Sequence, residues 1–216
     1  EQKCVSERGD DDNFNYVKSG TVDQKILGRK GDDVRIDWGY FYMAADKENS
    51  SCATGEGKTL RKSFIDGKLT SSKTDGSDKL ALVRSLGETK KAEGHLLLGY
   101  DDLYSIQYFG ENLRPYWNRN GNETIQSQFA KADKEYDAVM DKCAAFDANL
   151  MKEATEVGGR KYAELCALAY RQAIAAHKLV EAPNKDLLFL SKENFSNGSI
   201  GTVDITYPSA PLFLVY

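Results

Sequence analysis

Apolar positions in the first half of the chain come in short runs separated by polar turns. Val34–Met43 (VRIDWGYFYM) is aromatic and β-branched, with Gly39 inside it. Leu80–Leu86 (LALVRSL), Gly94–Tyr100 (GHLLLGY) and Tyr104–Phe109 (YSIQYF) follow. Asp46–Lys58 and Asp66–Lys79 between them are rich in Gly, Ser, Thr and Asp, and the second of these predicts a long exposed hairpin loop. Short strands punctuated this way predict an antiparallel sheet or sandwich.

The second half changes period. From Asn122 to Ala154 apolar residues recur at Ile125, Phe129, Ala132, Tyr136, Val139, Met140, Cys143, Phe146, Leu150 and Met151. Steps of three, four and seven are one stripe of a helix. A second, alanine-rich helix is predicted from about Gly159 to Val180, ended by Pro183. Leu187–Leu190 is a further strand candidate, and a helix is predicted to begin near Pro208. The strongly apolar ending, Tyr207–Tyr216, needs a surface to cover it. Docking on the chain's own helices and continuation into further protein both satisfy that need. Strands followed by helices make the expected class α+β, with a β-rich portion over 1–110 and a helical portion over 111–216.

Composition narrows the partners. A net charge of -4 gives no electrostatic reason to expect nucleic acid. No apolar run approaches the roughly 20 residues that span a bilayer, so no membrane contact is expected of this segment. Residues 1–23 are polar and acidic, which places any export signal upstream of Glu1. None of Cys4, Cys52, Cys143 and Cys166 forms a CxxC pair, and nothing calls for a metal or a cofactor. Cys143 and Cys166 fall on apolar helix faces and are expected as small buried residues. Asp32–Asp33 and Asp101–Asp102 are expected at strand ends and turns.

Three stretches carry a resemblance. Leu188–Tyr216 (LFLSKENFSNGSIGTVDITYPSAPLFLVY), Asp33–Met43 (DVRIDWGYFYM) and Leu168–His177 (LAYRQAIAAH) resemble the glutaminase A-like family, with looser similarity in register between them from about Gly31 onward. These are large secreted or lipid-anchored proteins. The resemblance implies a β-sandwich portion followed by the first helical hairpins of an (α/α) toroid like those of six-hairpin glycosidases. It also implies a longer parent chain whose remaining domains are partners of this segment, exported to the periplasm, the cell surface or the medium. The activity implied is glutamine amide hydrolysis. The toroid architecture brings a second class, a carbohydrate-active protein with a glycan substrate, and a third, a non-catalytic scaffold joining two domains.

Candidate chemistry gathers at 191–206. Glu193 and Asp204 are a carboxylate pair suited to acid–base work, provided the environment tunes their pKa values. Lys192, Asn194, Ser196 and Asn197 are candidate substrate contacts, with Lys192 suited to a carboxylate. The same residues fit plainer roles. Asn197–Gly198 suits a type I′ turn, and Asp204 or Thr206 suits a helix cap. His95 and His177 suit a core or helix-end position, and no GxSxG or SxxK motif is present.

Overall fold

The computed structural model describes residues 3–28, 38–70, 79–192 and 199–216. The chain is α+β and its contacts divide it into two compact units. The division is not linear: described residues of 3–28, 38–103 and 122–133 form the first, and 104–121 with 134–216 form the second. The expected hairpin tip around 71–78 and the Asn197–Gly198 turn lie outside the described residues.

In the first unit, β1 (Cys4–Asp10), β2 (Phe14–Thr21), β3 (Tyr40–Asp46) and β6 (Leu97–Asp101) form an antiparallel sheet in the order β1-β2-β3-β6. The β1–β2 turn is fixed by Asp11, whose Oδ1 accepts from the backbone N–H groups of Asn13 and Phe14, both at 2.8 Å. A second antiparallel pair, β4 (Ser50–Gly55) with β5 (Lys79–Arg84), lies against β1, β2 and β3. Between its strands runs α1 (Gly57–Ile65), capped by the Glu56 carboxylate, which accepts from Thr59 N–H at 3.0 Å. Helix α2 (Ile125–Lys134) buries Ile125 and Phe129. Phe129 meets the rings of Phe14 and Tyr42 edge-on, with centroids 6.5 and 6.4 Å away.

At the sheet's end, Trp38 is 2% exposed and its indole N–H donates to the Asp102 carbonyl at 2.8 Å. The Tyr100 hydroxyl donates to the Trp38 carbonyl. Gly39 lets the backbone pass: its φ is +89°, and a Cβ there would lie 2.6 Å from the Asp101 carbonyl oxygen.

The second unit opens with a small hairpin, β7 (Ile106–Tyr108) and β8 (Glu111–Leu113), and a 3-10 turn over Tyr116–Asn118. Helices α3 (Tyr136–Gly158) and α4 (Arg160–Ala175) form an antiparallel pair hinged at Gly159. Then come β9 (His177–Glu181) and β10 (Leu187–Ser191), paired antiparallel, and the short helices α5 (Val203–Ser209) and α6 (Leu212–Val215). Ile106, Leu113 and Val180 form a buried cluster, closed over by Tyr108, Leu188, Leu190 and Ile200. Among the described residues, no helix is long and apolar enough to cross a membrane.

Several sequence expectations change here. The stripe over 122–154 is two helices, divided at Glu135, rather than one. The helix predicted to reach Val180 stops at Ala175, and His177 opens a strand instead of closing a helix. The helix predicted to begin near Pro208 begins at Val203 and carries Pro208 inside it, not at its start. Cys143 is exposed and Cys166 half-buried, against the expectation of two buried thiols. Within this unit α3 and α4 chiefly cover one another, so positions off their common seam stay open, Leu165 and Val157 among them. Part of the apolar ending docks on the chain's own elements: the Tyr216 ring lies 5.2 Å from Phe146 and 5.5 Å from Tyr170, and Phe213 lies 5.9 Å from Phe189. Leu214 and Tyr207 remain exposed.

Burial gives the first sheet a pH signature. Tyr42 is pushed up to about 12 from an ordinary phenol value of 10.0, first by loss of water around it and then by the Asp101 charge. A raised phenol pKa favours the neutral form in the folded state. That contribution is complete below the unfolded value near 10 and disappears as pH climbs through about 12. Urea unfolding at stepped alkaline pH should therefore show stability falling across this window, and Tyr42→Phe should flatten the fall. An equal fall in both proteins would remove Tyr42 as its source.

Candidate functional site

Sheet pairing places Ser191 and Lys192 at the end of β10. Lys192 N–H donates to the Ala176 carbonyl at the end of α4, at 2.9 Å, and Lys192 bridges to Ile200. Gly201 N–H donates to the Ser191 carbonyl at 2.9 Å. Residues 191–192 and 199–201 are thus tied side by side by the backbone. Glu193, Asn194, Ser196 and Asn197 lie outside the described residues.

Lys192 points inward. It is only 4% exposed, and its ammonium donates to the carbonyl of Ser105, itself 1% exposed. A buried ammonium needs such acceptors, since an unpaired one is expensive to desolvate. Ser191 is also buried, and its hydroxyl shares a 3.1 Å hydrogen bond with that of Thr206 on α5. Asp204 takes a different position. It is exposed in the first turn of α5, where a carboxylate favours the helix N-terminus, and it lines an apolar groove of about 810 Å³ between α5–α6 and the α3–α4 pair. Lys192 and Asp204 therefore serve different surroundings, one a carbonyl in the interior and one a groove.

The histidines have structural partners. His177 shares a 2.5 Å hydrogen bond between Nδ1 and the Ala173 carbonyl, stacks on Phe189 with centroids 4.8 Å apart, and meets Phe213 edge-on. His95 Nε2 lies 2.8 Å from Asp133 Oδ1. Among the described residues, no group of three His, Cys, Asp or Glu side chains could hold a metal ion. Asp101 closes β6, its Oδ1 accepting from Leu103 N–H at 2.9 Å, a turn role as expected; Asp32–Asp33 lie outside the described residues.

Sequence reasoning missed a second polar constellation. A cavity of about 270 Å³ is lined by Tyr104, Asn112, Leu113, Arg114, Arg119 and Glu181. Arg114 lies over the Tyr104 ring, 4.7 Å from its centroid, and Arg119 over Tyr116 at 4.2 Å. Arg119 Nε is 3.5 Å from Glu181, which also pairs with Lys185 at 2.7 Å. The signal was present in the run RPYWNR (Arg114–Arg119), where two arginines flank aromatic residues. Its reach to Glu181 depends on the Pro115–Val180 bridge, which no local pattern predicts.

Residues 1–153 match the family described as a domain of unknown function, DUF5127. Residues 159–216 match the glutaminase A six helical-hairpin domain. A protein named Glutaminase A from Aspergillus oryzae (strain ATCC 42149 / RIB 40) is 27% identical over 218 aligned residues. That alignment covers 94% of this chain but 31% of the relative, so the chain spans about a third of the curated protein it matches. No solved structure matches the chain. With a match to DUF5127 over most of its length and to the hairpin domain after it, the chain belongs to the glutaminase A-like family.

Proposed function

We propose that this chain is part of a secreted hydrolase that cleaves the side-chain amide of glutamine, its β portion a sandwich and its helical portion the opening of an (α/α) toroid. The observation that carries this is the similarity, across 94% of the chain, to a protein named Glutaminase A. Antiparallel sheets followed by the α3–α4 pair support the architecture.

The chemistry asked of the site is water addition to the amide carbon, then cleavage of the C–N bond with proton transfer to the departing nitrogen. The products are glutamate and ammonia. In this reading Glu193 is the acid–base and Asp204, exposed at the head of α5, is the second carboxylate. Asn194, Ser196 and Asn197 contact the substrate. Lys192 begins this segment, its ammonium donating to the Ser105 carbonyl.

The test is ammonia release from L-glutamine by the full-length protein, measured with wild type, Glu193→Gln and Asp204→Asn. General acid–base catalysis is worth on the order of 10²–10⁴ in rate, so Glu193→Gln should lose activity by at least a hundredfold. No release above background in the wild type would sink the activity. Wild-type release with unchanged variants would sink these two residues and leave the activity standing.

A further inference from the structure

The cavity beside the 3-10 turn brings two arginines together, and it involves none of the residues assigned above. Arg114 is half-buried, and among the described residues it has no carboxylate partner. Its plane is held by the Tyr104 ring, and Nη2 reaches the Tyr104 hydroxyl only at 3.4 Å. Stacking occupies the face of a guanidinium and leaves its edge, where the N–H donors point, available. A planar two-donor edge matches a carboxylate bidentately. Arg119 is preset in a similar way. Its Nη1 donates to the Tyr116 carbonyl at 3.1 Å, and its ring partner fixes the plane.

Charge and size restrict the ligand. Among the described residues the cavity is lined by two guanidinium groups and one carboxylate, and that carboxylate pairs with Arg119 and with Lys185 outside the lining. Among the described residues the charge around the cavity is therefore positive on balance. Glu181, with its side chain 18% exposed, is the counterpart for a cationic group on the same ligand. About 270 Å³ lies just under the roughly 300 Å³ where drug-sized sites begin, which suits a ligand of amino-acid dimensions.

We infer that Tyr104, Arg114, Arg119 and Glu181 form a binding site for a small carboxylate of amino-acid size, with Arg114 and Arg119 taking the carboxylate and Glu181 favouring an ammonium. The site is separate from the residues proposed for amide hydrolysis and does not rest on that activity.

Isothermal titration calorimetry on the full-length protein tests this with L-glutamate, glutarate and inorganic phosphate as probes. Both carboxylates should give saturable binding. Arg114→Gln should weaken both about tenfold or more, the loss expected for a charge-assisted pair. Glu181→Gln should weaken L-glutamate and leave glutarate unchanged or tighter, because glutarate lacks the ammonium. If Arg114→Gln lowers the melting temperature, the exposed Arg119→Gln is the substitute and should weaken both carboxylates as well. Absence of saturable carboxylate binding, an unchanged affinity in both arginine variants, or binding of phosphate alone would overturn the inference. Carboxylate binding without ammonia release keeps this site and removes the proposed activity; ammonia release without carboxylate binding does the opposite.

Discussion

Trp38→Ala should destabilise the first unit by about 3–5 kcal/mol, the range for truncating a large buried aromatic. The side chain is 2% exposed, so its removal leaves a cavity that the neighbouring strands cannot readily close. It also strips the Asp102 carbonyl of its donor. That residue is itself buried, at 3% exposure. Trp38→Phe separates the two contributions. It keeps most of the ring volume but loses the indole N–H hydrogen bond to the Asp102 carbonyl, at a cost of about 0.5–1.5 kcal/mol. The chain has two tryptophans, and the other, Trp117, belongs to the second unit. Unfolding of the first unit in the variants is therefore followed by far-ultraviolet circular dichroism, with Trp117 fluorescence as the internal reference. A loss below about 1 kcal/mol in Trp38→Ala would mean that this end of the sheet is not packed around the indole.

The elements that were legible in the sequence are those that bury a continuous apolar run or stripe. β5, β6, β7 and β10 overlap predicted runs, and α3 and α4 carry the predicted helical period. β1 and β2 were not legible. Within them Phe14 and Val17 are the buried apolar residues, and polar partners across the pair, such as Ser6 with Ser19, hold the rest. Such a hairpin looks like a polar leader until its partner strand β3 is known. β4 was hidden inside the turn-rich stretch Asp46–Lys58, and α1 lies largely between that stretch and the next. The end of α4 went wrong through tertiary override. Lys178–Val180 continues the helical spacing, but pairing with β10 offers those backbone groups a ladder, and β-branched Val180 is fully buried on it.

Site legibility split along similar lines. Position 192 was picked for its chemistry, yet its burial against Ser105, 87 residues earlier, is a long-range fact. The Arg114–Glu181 constellation has the same character, because its two halves meet only through strand pairing. Residue type announces what a side chain can do; the topology decides which carbonyl or carboxylate it faces.

Phe129→Ala should cost about 3–5 kcal/mol, and its effect should be tied to one glycine. Phe129 and Ile125 close α2 onto the sheet directly over Gly99 of β6. A Cβ on residue 99 would lie 2.9 Å from Phe129 Cζ and 3.0 Å from Ile125 Cδ1. Gly99→Ala alone should therefore overpack the interface and cost about 1–3 kcal/mol. In the Phe129→Ala background the space left by the ring receives the new methyl group, and the added cost should shrink to a few tenths of a kcal/mol or reverse sign. The double-mutant cycle should thus show a coupling of about 1–2 kcal/mol, as residues in direct contact do. Urea titrations of the four proteins, in a Trp117→Phe background so that Trp38 alone reports, give the cycle directly. The aromatic contacts with Phe14 and Tyr42 predict the large single effect; the contact with Gly99 predicts the coupling. Strict additivity of Gly99→Ala and Phe129→Ala would mean that α2 does not rest on β6 at Gly99.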